Sequence, residues 1–176
     1  ISIFNSDAVK KINNKDIDVI NLHWINDEML SIKDLSKLNK PLAWTFHDMW
    51  PLCGVEHYSS KIDWKNGFSN SNDFLDIDRI TWNRKKRHWS KEFRIITPSK
   101  WLKNQAKMSP LFNDNEVVSI PNCIDYNFWD PIDTNIARKY LKLPLDEPIL
   151  LFGAMEANDR RKGFDLLIKA LKILEN

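Results

Sequence analysis

Cysteine is scarce: Cys53 and Cys123 stand far apart in a chain of 176 residues. Two such residues build no disulfide framework and lack zinc-site spacing, which fits a reducing, cytosolic setting. Charge of one sign is lacking too. The formal net charge is +2, so no global field points to nucleic acid and any basic site must be local. No apolar run approaches the roughly 18 residues of a membrane span, and the opening residues do not read as a signal peptide. The spacing G-x-x-x-x-G-K-[ST] is absent, which excludes a phosphate-binding P-loop. No internal repeat or low-complexity tract is present. What the chain does have is eight tryptophans. Large aromatics can stack on sugar or base rings, although filling a core is their commoner role.

Apolar and turn-forming segments alternate along the chain. Residues 17–23 form a short apolar run suited to a buried parallel strand. Residues 31–38 suit a helix capped by Ser31, with Ile32, Leu35 and Leu38 on one face. A second strand is expected at 41–47, opened by Pro41. Residues 48–76 carry turn-formers and no period, a length of loop that is usually functional or disordered. A helix follows at 77–92, then a strand at 93–99 and a helix capped by Ser99. Strand 116–121, an irregular crossover at 122–131, helix 133–141, strand 148–154 and a final amphipathic helix complete the order. Such alternation predicts an α/β fold with a parallel sheet and flanking helices. The first strand of a complete domain is missing and the last βα unit lacks a partner, so the sequence reads as a fragment of a longer protein.

Three stretches could carry chemistry. In "GAMEANDRRKGFDLLIKAL" (153–171), a strand end leads through Arg160, Arg161 and Lys162 to Gly163 and a helix start. Loops after strands lie at the carboxyl edge of a parallel sheet, where ligands bind. A helix N-terminus with cations beside it suits phosphate, Lys162 acting as a point charge and the arginines as bidentate donors. A solvated helix start with surface cations accounts for the same residues equally well. In "TFHDMWPLCGVEHYS" (45–59), His47 and Asp48 sit at a strand end, with Glu56 and His57 following. A histidine there could bind a substrate hydroxyl, shuttle a proton, or merely tie down the strand. A metal shared by His47, Asp48, Cys53, Glu56 and His57 has no standard ligand spacing behind it. The third stretch, "RKKRHW" (84–89), is the one dense basic run. A helix face against solvent is its simplest reading; nucleic acid and anionic lipid headgroups are the alternatives.

Taken together, "HDMWPLCGVEHYS", "ITPSKWL", "IPNCID" and "FGA…RRKGFDLLIKAL" resemble, in order and separation, the family 4 (group 1) glycosyltransferases. The likeness is to the branch of bacterial surface-polysaccharide assembly (lipopolysaccharide and capsule) and covers nearly the whole chain. It implies a GT-B architecture of two Rossmann-like domains. Residues 1–128 would be the later part of the N-terminal, acceptor-side domain, and residues 129–176 the truncated start of the C-terminal, donor-binding domain. The family's acidic E-x7-E segment would lie beyond Asn176.

The resemblance implies a retaining hexosyltransferase that moves a sugar from a nucleotide-diphosphate donor to a saccharide or lipid-linked acceptor. It requires neither cofactor nor metal, and it places the protein in the cytoplasm or at the inner membrane face. Lys162 matches the lysine that holds the donor pyrophosphate, with Arg160, Arg161 and Gly163 beside it. His47 matches the histidine that approaches the transferred sugar, and the two are the implied catalytic residues. Asp48, Glu56, His57, Ser99 and Asn122 are the implied substrate-side positions, Ser99 and Asn122 being equally suited to structural roles. Two departures stand out: Ala154 follows Gly153 where many members carry arginine, and Cys123 follows Asn122 where the family has glycine. The fragment alone is expected to be inactive. A non-catalytic saccharide- or phosphate-binding module using Trp50 and Trp64 is the alternative.

Overall fold

A computed structural model describes residues 6–27, 29–71, 73–89, 92–156 and 159–174. The chain divides into two compact units, Ile1–Cys123 and Ile124–Asn176. The first is an α/β unit built on four parallel strands: β1 Ile20–Leu22, β2 Leu42–Thr45, β3 Phe93–Thr97 and β4 Val117–Ser119. They lie side by side in chain order, with Leu22, Trp44, Ile95 and Val117 in one row across the sheet. Helix α1 (Ala8–Asn13) precedes β1, helix α2 (Ile77–His88) joins β2 to β3, and helix α3 (Lys100–Met108) joins β3 to β4. All crossovers step in the same direction, so right-handed connections put them on one face of the sheet. This is the Rossmann-like arrangement of parallel strands and flanking helices.

Strand alternation makes the two faces unequal. Ile20, Leu22, Leu42, Trp44, Phe93, Ile95 and Val117 are buried, whereas Asn21, Arg94 and Val118 are exposed. Trp44 centres the buried face. Its ring lies 5.0 Å from Phe46, 5.1 Å from Trp89 and 5.6 Å from Phe93, each edge to face, the geometry that ring quadrupoles favour. Trp50 and Phe112 extend the cluster through Trp89. The tryptophans of this unit mostly fill the core: Trp44, Trp50, Trp64, Trp82 and Trp89 are at most 5% exposed.

The long loop after β2 contains no strand or α-helix among its described residues, only a 3-10 turn at Asp63–Asn66. Its backbone needs partners from elsewhere. Lys85 of α2 supplies them, donating from a fully buried ammonium to the carbonyls of Trp50, Cys53 (2.8 Å) and Gly54 (2.7 Å). The ammonium also lies 3.9 Å from the Trp50 ring centre, an attractive cation–π placement. Burial pushes the Lys85 pKa well below the ordinary lysine range. Only the charged head has three protons for these three acceptors. Gly54 packs so closely on α2 that an added Cβ would sit 2.3 Å from the Asp78 Cα. Asp78 in turn accepts the Val55 N–H at 2.8 Å.

Several expected elements take another form. Residues 31–38 make a 3-10 turn, Leu35–Lys37, and no α-helix. The buried Asp34 centres this turn, its carboxylate accepting the N–H groups of Ser6 (2.9 Å) and Ser31 (3.0 Å) and the Lys37 ammonium (3.0 Å). Ser31 answers by accepting the Asp34 N–H, the reciprocal pair of a capping box, so the expected Ser31 cap forms although the turn after it stays 3-10. Helix α2 ends at His88, and residues 90 and 91 of the expected 77–92 span lie outside the described residues. Within "RKKRHW", Lys85 and Trp89 are buried while Lys86 and Arg87 are exposed. That run is therefore no uniform solvent face.

The second unit holds α4 (Thr134–Leu141), capped by Asp133, and α5 (Phe164–Leu174). Arg138 of α4 donates to the carbonyls of Pro144, Leu145 and Glu147, ordering the chain that follows. The strand expected at 148–154 does not form; Leu150 and Leu151 are exposed instead. A strand needs a neighbour to take its N–H and C=O groups, and no strand is present in this unit among the described residues.

Lys85→Met would leave three buried carbonyls without a donor, at a cost of about 3 kcal/mol or more. Urea unfolding followed by tryptophan fluorescence measures it. For Asp34, burial alone would raise the carboxyl pKa, but Ser6, Lys37 and Ser31 outweigh it and hold the value below the ordinary one. A depressed carboxyl contributes stability above its unfolded value and loses it as pH falls through the folded one. Acid titration of unfolding should therefore be steeper below about pH 4 for the wild type than for Asp34→Asn.

Candidate functional site

The carboxyl ends of β1 and β2 bring together two histidines that the sequence separates. Alternation puts Asn21, His23, Thr45 and His47 on the same sheet face, the one opposite the buried core row. The indole N–H of Trp44 reaches from the core to the His23 carbonyl at 3.2 Å and fixes the chain leaving β1. His23 Nδ1 lies 2.9 Å from His47 Nε2, the two rings edge to edge with centroids 5.2 Å apart. Behind them the Asn21 side-chain amide meets His23 Nε2 at 3.2 Å. The Thr45 hydroxyl meets Asn21 Oδ1 at 3.4 Å.

Asp48 anchors the loop that walls this edge. It is nearly buried, and its carboxylate accepts the Trp50 N–H at 2.9 Å and meets His57 Nδ1 at 2.5 Å. The Met49 N–H donates to the His57 carbonyl at 2.8 Å, so residues 48 and 49 grip both parts of residue 57. Trp24 stands 6.1 Å from the His57 ring and is 43% exposed. A small cleft opens here, lined by His23, Trp24, Asn26, Phe46, His47 and Asp48 among others. Glu56 is half-buried in the same loop.

His47, Asp48, Cys53, Glu56 and His57 do not converge on an ion position, and among the described residues no three His, Cys, Asp or Glu do. Burial pushes the Cys53 thiol up to about 12, which leaves it protonated and unsuited to ligation or attack. Ser99 follows β3 and caps α3, its hydroxyl accepting the Leu102 N–H at 3.2 Å. Asn122 follows β4 and is exposed. Neither Ser99 nor Asn122 lines the His23–His47 cleft.

Arg160, Arg161 and Lys162 form a 3-10 turn in the second unit, with all three side chains exposed. Asp159 caps the turn and holds Arg161 in a two-pronged pair at 2.9 and 2.6 Å. The Arg161 hydrogen bond keeps the Asp159 carboxyl below its ordinary range. The triplet is therefore not three equivalent cations. Gly163 follows at φ +74°, a left-handed turn that other residues adopt with strain, and its carbonyl receives the first bonds of α5. Phe152 and Phe164, with ring centres 5.1 Å apart, hold the two sides of the loop together. Residues 157 and 158 of this loop lie outside the described residues.

Two residues that sequence reasoning passed over belong to the cleft: His23 and Trp24. Their signal was that consecutive strands end alike, in "NLHW" and "TFHD". No protein-family model, curated protein or solved structure matches this chain.

Asp48→Ala should free His57 and the Trp50 N–H at a cost of about 1–2 kcal/mol. Limited proteolysis should then cut within residues 55–61 before the rest of the chain.

Proposed function

We propose that this chain is part of a retaining GT-B glycosyltransferase that moves a sugar from a nucleotide diphosphate to a saccharide or lipid-linked acceptor. The observation that carries the reading is His47. The residue that the family resemblance marks stands at the carboxyl end of β2, in a cleft with His23, Trp24 and Asp48. Open α/β sheets bind ligands at this edge. His47 would orient the transferred sugar, and Glu56 and His57 would border the acceptor. No dedicated base stands out, which suits chemistry in which the donor phosphate takes the acceptor proton.

Support on the donor side is the exposed Arg160–Lys162 turn leading through Gly163 into α5. As the glycosidic bond breaks, the diphosphate gains negative charge. Cations and helix N–H groups placed there stabilise the transition state more than the ground state. Lys162 is the main point charge in this scheme, since Arg161 is already paired with Asp159. Where Ala154 replaces the usual arginine, one phosphate ligand is either missing or would be supplied by Arg160.

Other classes have less behind them. Trp50 and Trp64 are buried and cannot stack on a saccharide, and Lys85 and Trp89 cannot meet nucleic acid. Lipid attraction by residues 84–89 loses Lys85 for the same reason. No helix among the described residues is long and apolar enough to cross a membrane.

Calorimetric titration with UDP and GDP tests the reading. One of them should bind, and Lys162→Ala should weaken it at least about tenfold, or 1.4 kcal/mol. Flat titrations with both, alongside salt-sensitive binding of single-stranded RNA, would end it.

A further inference from the structure

We infer that His23 is a positioning residue that holds His47 as a hydrogen-bond donor, an inference that rests on the sugar-binding role just proposed for His47. Four side chains on one sheet face form a chain of contacts: Thr45 to Asn21 (3.4 Å), Asn21 to His23 (3.2 Å) and His23 to His47 (2.9 Å). Its polarity follows from which groups can give a proton. Asn21 Oδ1 accepts from the Thr45 hydroxyl, so the amide NH2 is turned to His23 Nε2. An amide nitrogen donates only, which makes His23 Nε2 the acceptor.

A neutral imidazole has one N–H and one bare nitrogen. His23 therefore carries its proton on Nδ1, and that proton points along the 2.9 Å contact to His47 Nε2. His47 Nε2 is in turn bare, and the remaining ring proton sits on Nδ1. Held so, His47 meets a ligand oxygen with an N–H group and does not present a free lone pair as a base. The rings lie edge to edge with their planes 26° apart, so the contact runs close to the plane of both imidazoles, as a ring N–H bond requires. The second-neighbour contact that sets a histidine's tautomer is a general device of histidine sites.

The opposite amide orientation reverses every link: His23 Nε2 would donate to the amide oxygen, and His47 Nε2–H would donate to His23 Nδ1. The two schemes differ in an observable. Nitrogen-15 NMR of histidine-labelled chain at about pH 8, above the ordinary imidazole range, reads the tautomer directly. The expected spectrum has His47 with a bare Nε2 and a protonated Nδ1. In His23→Ala the Nδ1–H form should cease to be the single species, whereas His23→Asn, whose amide nitrogen stands where the imidazole Nδ1 does and can donate, should restore it. Backbone amide spectra confirm that both variants fold.

A protonated His47 Nε2 in the wild type, or a His47 tautomer indifferent to His23→Ala, overturns the proposal. Addition of UDP-glucose to the same samples keeps the two readings apart. Shifted His47 resonances support its place at the sugar. An intact tautomer pattern that no nucleotide sugar perturbs removes the sugar-binding reading and leaves the His23 assignment standing.

Discussion

An ammonium group shut away from water is tolerated only where its surroundings replace the hydration it has lost, and Lys85 meets that demand with three loop carbonyls and the face of Trp50. The loop after β2 has no ladder of its own to satisfy those carbonyls. Each side therefore solves the other's problem: the cation gains acceptors, and the irregular backbone gains donors. Because Trp50 is both a carbonyl partner and a ring partner, the clamp begins two residues beyond Asp48. The carboxylate that orients His57 is fixed by the same device.

The aromatic face of the sheet works from the opposite side. Trp44 packs edge to face with Phe46, Trp89 and Phe93, and its one polar atom bonds the His23 carbonyl. Core and cleft are thus joined through a single indole. Parallel strands of equal register then deliver His23 and His47 to one edge, on the face that the crossovers leave open. Rigid packing beneath and polar side chains above are what a binding cleft on this fold requires.

Much of the first unit was legible from periodicity and caps. Strands at 41–47 and 93–99 and the Ser99 cap follow from apolar runs and turn chemistry, and β2, β3 and α3 occupy those places. Where sequence reading failed, a partner distant in the chain had intervened. Ser6, far away in sequence, shares the Asp34 carboxylate in the 3-10 turn that stands where a helix was expected. Lys85, in a run of cations, looked solvated because nothing local signals a carbonyl 35 residues away. The apolar run at 148–154 has strand composition but, among the described residues, no neighbouring strand in its unit. Helix α1 was missed because it is short, a single turn and a half whose apolar positions Ala8, Val9 and Ile12 make too brief a period to read.

By itself the sequence determined the α/β alternation, the capping residues, and the placing of His47 and of the Arg160–Lys162 turn after apolar runs. These are local matters, governed by period, turn chemistry and the φ that Gly163 allows. Tertiary structure alone decided that His23 stands against His47 and that the Lys85 ammonium meets the carbonyls of Trp50, Cys53 and Gly54. It also decided which tryptophans are buried and which cation serves the interior. Hydrogen bonds and ring contacts between residues far apart in the chain depend on register and packing, and neither is written in any one stretch of residues.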